Sequence, residues 1–232
     1  MIIITGTSSG IGKALTSHYL TNGETVIGIG RTNRFNHSNY THISCDLSNP
    51  QALIDLDLSH YIHQHNESIT LINNAGTIGE IKRSMDLTAA HYLSVATLNI
   101  VAVQSLCARV LKTAGHANVV AIVNISSGAA KRPIPAWSAY CASKAAVDLF
   151  SETLSEELQE LGASTKIYSV APGVVDTEMQ VAIRSSNSDD FSGRQKFVDL
   201  KEQEELRSPE EVVALLMQLL EKKEQEEVVC RL

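Results

Sequence analysis

The run Ile2-Ile3-Ile4-Thr5 passes without a linker into Gly6-Thr7-Ser8-Ser9-Gly10-Ile11-Gly12, and an amphipathic stretch follows at once. A short β-branched run reads as a strand, and an apolar period of 3.6 as a helix. A strand that turns on glycines straight into a helix restricts the chain to folds in which helices cover a sheet. The alternation continues, predicting strands at 24–30, 41–45, 68–73, 117–126, 165–170 and 227–231. The predicted helices lie at 11–21, 50–64, 89–113, 138–161 and 209–222. The strands are continuous Ile/Val runs, as expected of parallel strands covered on both faces. The chain therefore reads as one α/β domain over 1–232, a doubly wound parallel sheet in three αβα layers. The polar run Arg184-Ser185-Ser186-Asn187-Ser188-Asp189-Asp190 sits in an irregular segment, 182–208. A segment of that length is predicted to be a substrate loop or lid, at about 178–208.

With 232 residues, 44% of them hydrophobic, the chain can bury a core without a disulfide or metal staple. Its 19 basic and 26 acidic residues give a net charge of −7, which argues against nucleic-acid or anionic-membrane partners. Cys45, Cys107, Cys141 and Cys230 form no CxxC pair and read as reduced thiols of a cytoplasmic protein. The N-terminus lacks the pattern of a signal peptide, and no stretch reads as the ~18 apolar residues of a membrane span. His60, His63 and His65 cluster on a polar helix end and read as solvated, so no metal site is expected.

The glycine cluster has a chemical reading. Gly6 permits a tight turn, Gly10 admits a pyrophosphate close to the backbone, and Gly12 allows close helix packing. With Ser8, Ser9 and Ile11 it caps a helix whose N-terminus favours negative charge. This predicts a dinucleotide site in a Rossmann-type sheet. The second strand ends at Gly30 without an acidic residue, and Arg31 follows. A guanidinium there suits a ribose 2′-phosphate, with Arg34 and Lys13 adding charge, so NADP(H) is expected over NAD(H). Asp46, with Leu47, follows the third strand and can accept an adenine amino group, while Ser48 or Asn49 suits better as helix cap. Asn73-Asn74-Ala75-Gly76 ends the fourth strand, where small residues let a ribose approach.

Ser127, Tyr140 and Lys144 form the strongest constellation. Tyr140 and Lys144 lie one helical turn apart on one face. An ammonium beside a phenol lowers the phenol pKa toward neutrality, where it can exchange protons. The plain alternative is a packed tyrosine and a solvated lysine.

Taken together, Thr5-Gly6…Gly10-Ile11-Gly12, Asp46, Asn73-Asn74-Ala75-Gly76, Asn99, Ser127, Tyr140, Lys144 and Pro172-Gly173…Thr177 resemble the classical short-chain dehydrogenase/reductases in order and spacing. The resemblance implies Tyr140 as proton donor to a carbonyl, Ser127 as its hydrogen-bonding partner, and Ser126 as a structural neighbour. It implies that Lys144 holds the nicotinamide ribose and tunes Tyr140, and that Asn99 anchors a proton-relaying water. Pro172, Gly173, Val174 and Thr177 would pack on the nicotinamide. Within the family the chain looks closest to the benzil reductase/sepiapterin reductase-like branch. That implies NADPH-dependent reduction of a small ketone or vicinal diketone. Sepiapterin reduction and a non-catalytic NADP-sensing regulator are the alternatives, although a sensor would be expected to lack the Ser, Tyr or Lys. Ala129, Trp137 and Met179, with Val174, Phe191 and Phe197, are candidates for an apolar substrate pocket. Small residues Ala96, Ala102, Ala108, Ala142, Ala145 and Ala146 on two helices predict a homodimer, with a tetramer as the alternative.

Overall fold

The computed structural model describes residues 1–64, 68–222 and 224–232. Seven strands form one parallel sheet: β1 (Ile2–Thr5), β2 (Val26–Gly30), β3 (Tyr40–Ser44), β4 (Ile69–Asn73), β5 (Val119–Ile125), β6 (Lys166–Ala171) and β7 (Val229–Arg231). Their order across the sheet is β3-β2-β1-β4-β5-β6-β7. The chain winds outward from β1 to β3, then crosses back to β4 on the other side of β1. That reversal opens a crevice at the carboxyl ends of β1 and β4.

Alternate strand residues supply two cores. Ile2, Ile4, Val26, Ile72, Val123 and Val170 face helix α1 (Gly10–Thr21) and helix α9 (Pro209–Glu221), through Leu15, Val213 and Leu216. Ile3, Ile27, Ile29, Leu71, Ile122 and Ile167 face the opposite layer. That layer holds α2 (Pro50–Asp55), α3 (Ser59–Gln64), α5 (Ala102–Ala114) and α6 (Ser138–Glu160). Each fully buried Ile or Leu contributes roughly 1.5–3 kcal/mol. Two-sided burial is why the strands read as unbroken apolar runs.

Four expectations need correction. The predicted helix 50–64 is two helices. Asp57 accepts hydrogen bonds from the Ser59 N–H and hydroxyl, at 2.9 and 2.7 Å, and starts α3 afresh. The Arg109 guanidinium, from α5, donates to the carbonyls of Leu53 and Leu56 and caps the end of α2. The predicted helix 89–113 is α4 (Ala89–Ala96) joined to α5 by a π-helical turn, Thr97–Val101. The run Ala89–Ala114 is also long and apolar enough to cross a membrane by composition, with a mean hydropathy of 1.5. Here it is a core helix, its Val95, Val103, Leu106, Cys107 and Val110 buried.

The fourth correction concerns 182–208, which is irregular only in part. It takes in the end of α7 (Glu178–Arg184) and all of α8 (Arg194–Glu202), and Ile183 and Phe197 in these helices and Phe191 in the turns between them are buried. The ends of this excursion meet. The Asp176 N–H donates to Arg207 O at 2.9 Å, and the Arg207 N–H to Val174 O at 3.0 Å, in an isolated parallel bridge.

Candidate active site

The glycine turn fills the crevice end nearest α1. Gly6 has φ +72° and Gly10 φ +52°, where a side chain is disfavoured. A Cβ on Gly12 would sit 2.1 Å from the Gly6 carbonyl oxygen. Ser9 caps α1 without a side-chain hydrogen bond, which leaves the first-turn N–H groups directed at the crevice. Asn74 closes the turn from β4: its amide donates to the carbonyls of Thr5 and Gly6, at 3.0 and 3.1 Å. The Asn74 and Ala75 N–H groups both bond Thr5 Oγ1. Asn74 thus shapes the glycine turn itself.

Beyond β2 and β3 lies an open cleft of ≈ 540 Å³, lined by Arg31, Ser44, Cys45, Asp46 and Tyr61 among others. Asp46 Oδ1 accepts from the Ser48 hydroxyl at 2.6 Å, and hydrogen bonds from Ser48 hold its carboxyl below the ordinary range. The cap of α2 is Asn49. Leu47, beside Asp46, is buried in the core. Arg31 is exposed at the cleft and close enough to Asp46 to lower its carboxyl further. The turn, the open helix end and this cleft fit a dinucleotide.

At the other end, β5 delivers Ser127 and the first turns of α6 deliver Tyr140 and Lys144. Ser127 Oγ accepts the Ala129 N–H at 3.1 Å. Tyr140 is 6% exposed and Lys144 5%. Lys144 Nζ donates to the Ile125 carbonyl at 2.7 Å and stands 5.7 Å from the Tyr140 ring centre. The sequence predicts a phenol pKa pulled down by the lysine. In the chain itself burial pushes the phenol up, and a hydrogen bond with Ser127 pulls it back. Burial lowers the Lys144 ammonium to about 8. Asn99, at 0% exposure in the π turn, accepts the Thr77 N–H at 2.9 Å. It donates to Thr77 O at 2.8 Å and Ser143 Oγ at 3.0 Å. A Cβ on Gly76 would lie 3.4 Å from Asn99 Oδ1 and 3.5 Å from Lys144 Nζ, so these three bound one space.

The segment after β6 closes that space. Gly173 has φ +83°, and Arg207 Nη1 braces the Pro172 carbonyl at 3.1 Å. Thr177 Cγ2 lies 3.0 Å from where a Cβ on Gly10 would be, so this segment meets the glycine turn. Ala129, Trp137 and Tyr140 share an apolar cluster with Phe191 and Phe197, and Val174 and Met179 pack at its edge. Trp137 lies 5.3 Å from Phe191, 5.4 Å from Phe197 and 5.9 Å edge-on from Tyr140. Sequence reasoning missed Ile78, Ile183 and Arg207, which come from loops and helices without a local signal. It also missed Asp148, visible only as a carboxylate on an apolar helix face.

His65 lies outside the described residues, and among those described no group of His, Cys, Asp and Glu could hold a metal ion.

A parallel doubly wound sheet with a glycine turn at its switch point, and Ser, Tyr and Lys converging beside it, defines a dinucleotide-dependent oxidoreductase fold. The short chain dehydrogenase family profile matches residues 1–188, and the chain belongs to that family. It is 38% identical over 230 residues to the benzil reductase ((S)-benzoin forming) of Bacillus subtilis, covering 96% of this chain and 93% of that protein. The sepiapterin reductase of Bos taurus is 33% identical over 149 residues, 62% of this chain and 49% of that protein. A short chain dehydrogenase/reductase structure from Saccharomyces cerevisiae shares the fold at TM-score 0.85 and 24% identity, over 99% of this chain and 94% of that one. The chain is thus an oxidoreductase of carbonyl and hydroxyl groups that uses a nicotinamide cofactor.

Proposed function

We propose that this protein is an NADPH-dependent carbonyl reductase acting on vicinal diketones of the benzil type. The convergence of Ser127, Tyr140 and Lys144 beside a buried aromatic cluster carries the reading, and the benzil reductase relative supports the substrate class. Arg31 and Asp46 would hold the adenosine end of the cofactor, and Gly6, Ser8, Ser9, Gly10, Ile11 and Gly12 its pyrophosphate. Asn74, Ala75 and Gly76, with Pro172, Gly173, Val174 and Thr177, would flank the nicotinamide half. The cofactor supplies the hydride. Ser127 and Tyr140 orient and polarise the carbonyl oxygen, and Tyr140 donates its proton there. Burial keeps the phenol protonated until that moment. Lys144, cationic below its lowered pKa, offsets the charge left on Tyr140. Helices α7 and α8 act as the lid over the substrate.

The same reading extends to assembly. Leu93 and Val101 on one helical run, and Leu149 on α6, stand exposed beside exposed Ala108, Ala142 and Ala145. These stripes suit a homodimer, which light scattering after size exclusion would report as twice the chain mass. Four free cysteines suit the cytoplasm.

The test is oxidation of NADPH with benzil, against NADH and against Tyr140→Phe. Expected are turnover with NADPH and a roughly 10-fold or greater preference over NADH that Arg31→Ala removes. A kcat about 10²–10⁴ lower is expected in Tyr140→Phe. Tight NADPH binding without turnover of benzil or other diketones would overturn the substrate class.

A further inference from the structure

Among the described residues, Lys144 and Asp148 are the only Lys, Arg, Asp or Glu in the buried set. They lie one turn apart on α6, four residues from each other, and so share one buried face of the helix. Buried charge is costly unless it is paired and hydrogen-bonded. Asp148 is held accordingly. Its Oδ1 accepts the Ser126 hydroxyl at 2.6 Å, from the end of β5, and the Ser169 hydroxyl at 2.8 Å, from β6. Its Oδ2 lies 3.5 Å from Lys131 Nζ, in the short helical turn Gly128–Lys131 that follows Ser127. Lys131 is 65% exposed, so solvent screens that contact. Neutral hydroxyls and one screened ammonium leave most of the carboxylate's charge to act on the other dry group, Lys144. Around Lys144 stand Tyr140 on its own helix, Asn99 from the π turn and the Ile125 carbonyl from β5.

We propose that Asp148 is a positioning residue for the reaction: its buried carboxylate keeps Lys144 in the ammonium form at working pH, and through Ser126 it fixes the end of the strand that carries Ser127. The proposal rests on the catalytic reading of Tyr140 and Lys144 given above. Burial lowers Lys144 to about 8, and Asp148 is the group that opposes that fall. Without the carboxylate the ammonium loses its proton at lower pH. Turnover that needs the cation then fails earlier as pH rises.

The experiment compares wild type with Asp148→Asn, which keeps an acceptor for Ser126 and Ser169 but removes the charge. Two readings are taken: the pH profile of kcat/KM, and the titration of Lys144 by NMR in protein carrying ¹³Cε-lysine without cofactor. Expected is a shift of the alkaline limb, and of the Lys144 midpoint, to lower pH by about one unit. Asp148→Glu, which keeps the charge, should restore both, and Lys131→Met should leave the midpoint in place. Asp148→Ser is a second neutral variant should Asn not fold. A uniform loss of rate with an unmoved limb and midpoint would overturn the proposal. So would neutral variants that do not fold beside a folded Asp148→Glu, since the carboxylate would then be structural. If Tyr140→Phe keeps its turnover, the catalytic reading falls, and the NMR midpoint still reports whether Asp148 governs Lys144.

Discussion

At the glycine turn, Gly6, Gly10 and Gly12 act within seven consecutive positions, and they act through what they lack. The wall around Tyr140 is assembled differently. Trp137 opens α6, Phe191 follows α7, Phe197 lies in α8, and Ile78 comes from the loop after β4. One region is built from backbone conformation over a few residues, the other from side-chain contact across the whole fold. The first is tolerant of sequence elsewhere and intolerant of any added atom. The second depends on every element that reaches it.

That contrast can be tested. Phe191 is 1% exposed, and Phe191→Ala should cost about 3–5 kcal/mol if the wall is a true core. Thermal melting and amide exchange across 178–206 would read it. A loss below about 1 kcal/mol would mean that the wall is loosely packed, and the comparison would fail. Gly12→Ala forces a methyl against a backbone oxygen, which cannot swing aside as a side chain can. A cost of about 1–3 kcal/mol is expected, with weakened binding of NADPH in a fluorescence titration. Unchanged stability and affinity would remove the steric account of the turn. The smallest effect is expected at Ala136, the one non-glycine in the wall with a left-handed backbone, φ 66°. Ala136→Gly relieves that strain but loosens the unfolded chain, so the melting point should rise by a few degrees at most. If kcat with benzil falls at the same time, the strained turn is what aims Trp137.

The same contrast explains what could be read from the sequence. The strands, α1, α6 and the pairing of Tyr140 with Lys144 were legible, because each rests on residues within a turn or two of one another. The break in 50–64 was not, because the guanidinium that caps α2 comes from Arg109, far along the chain. The π turn at Thr97–Val101 leaves the apolar period of its helix nearly intact while it rotates Asn99 inward. Helices α7 and α8 are only seven and nine residues long, and the polar run 184–190 that ends one and separates it from the other hid their short apolar clusters. Their helicity rests on tertiary packing. Of the candidate site, the glycines, Ser127, Tyr140, Lys144 and the aromatic candidates are brought together along one crevice. Asp148 and Arg207 were silent, because their meaning depends on partners from other strands and loops.

The bridge between Val175 and Arg207 has a consequence for how such a protein can change. It ties the two ends of the α7–α8 excursion to each other, so the sheet registers only a short, fixed gap, whatever lies between. Doubling the length of a closed loop costs only about 0.6 kcal/mol. The excursion is therefore an exchangeable cassette. A lineage could replace it whole, reshaping the aromatic cluster around Trp137, while Tyr140 and Lys144 on α6 stay in place.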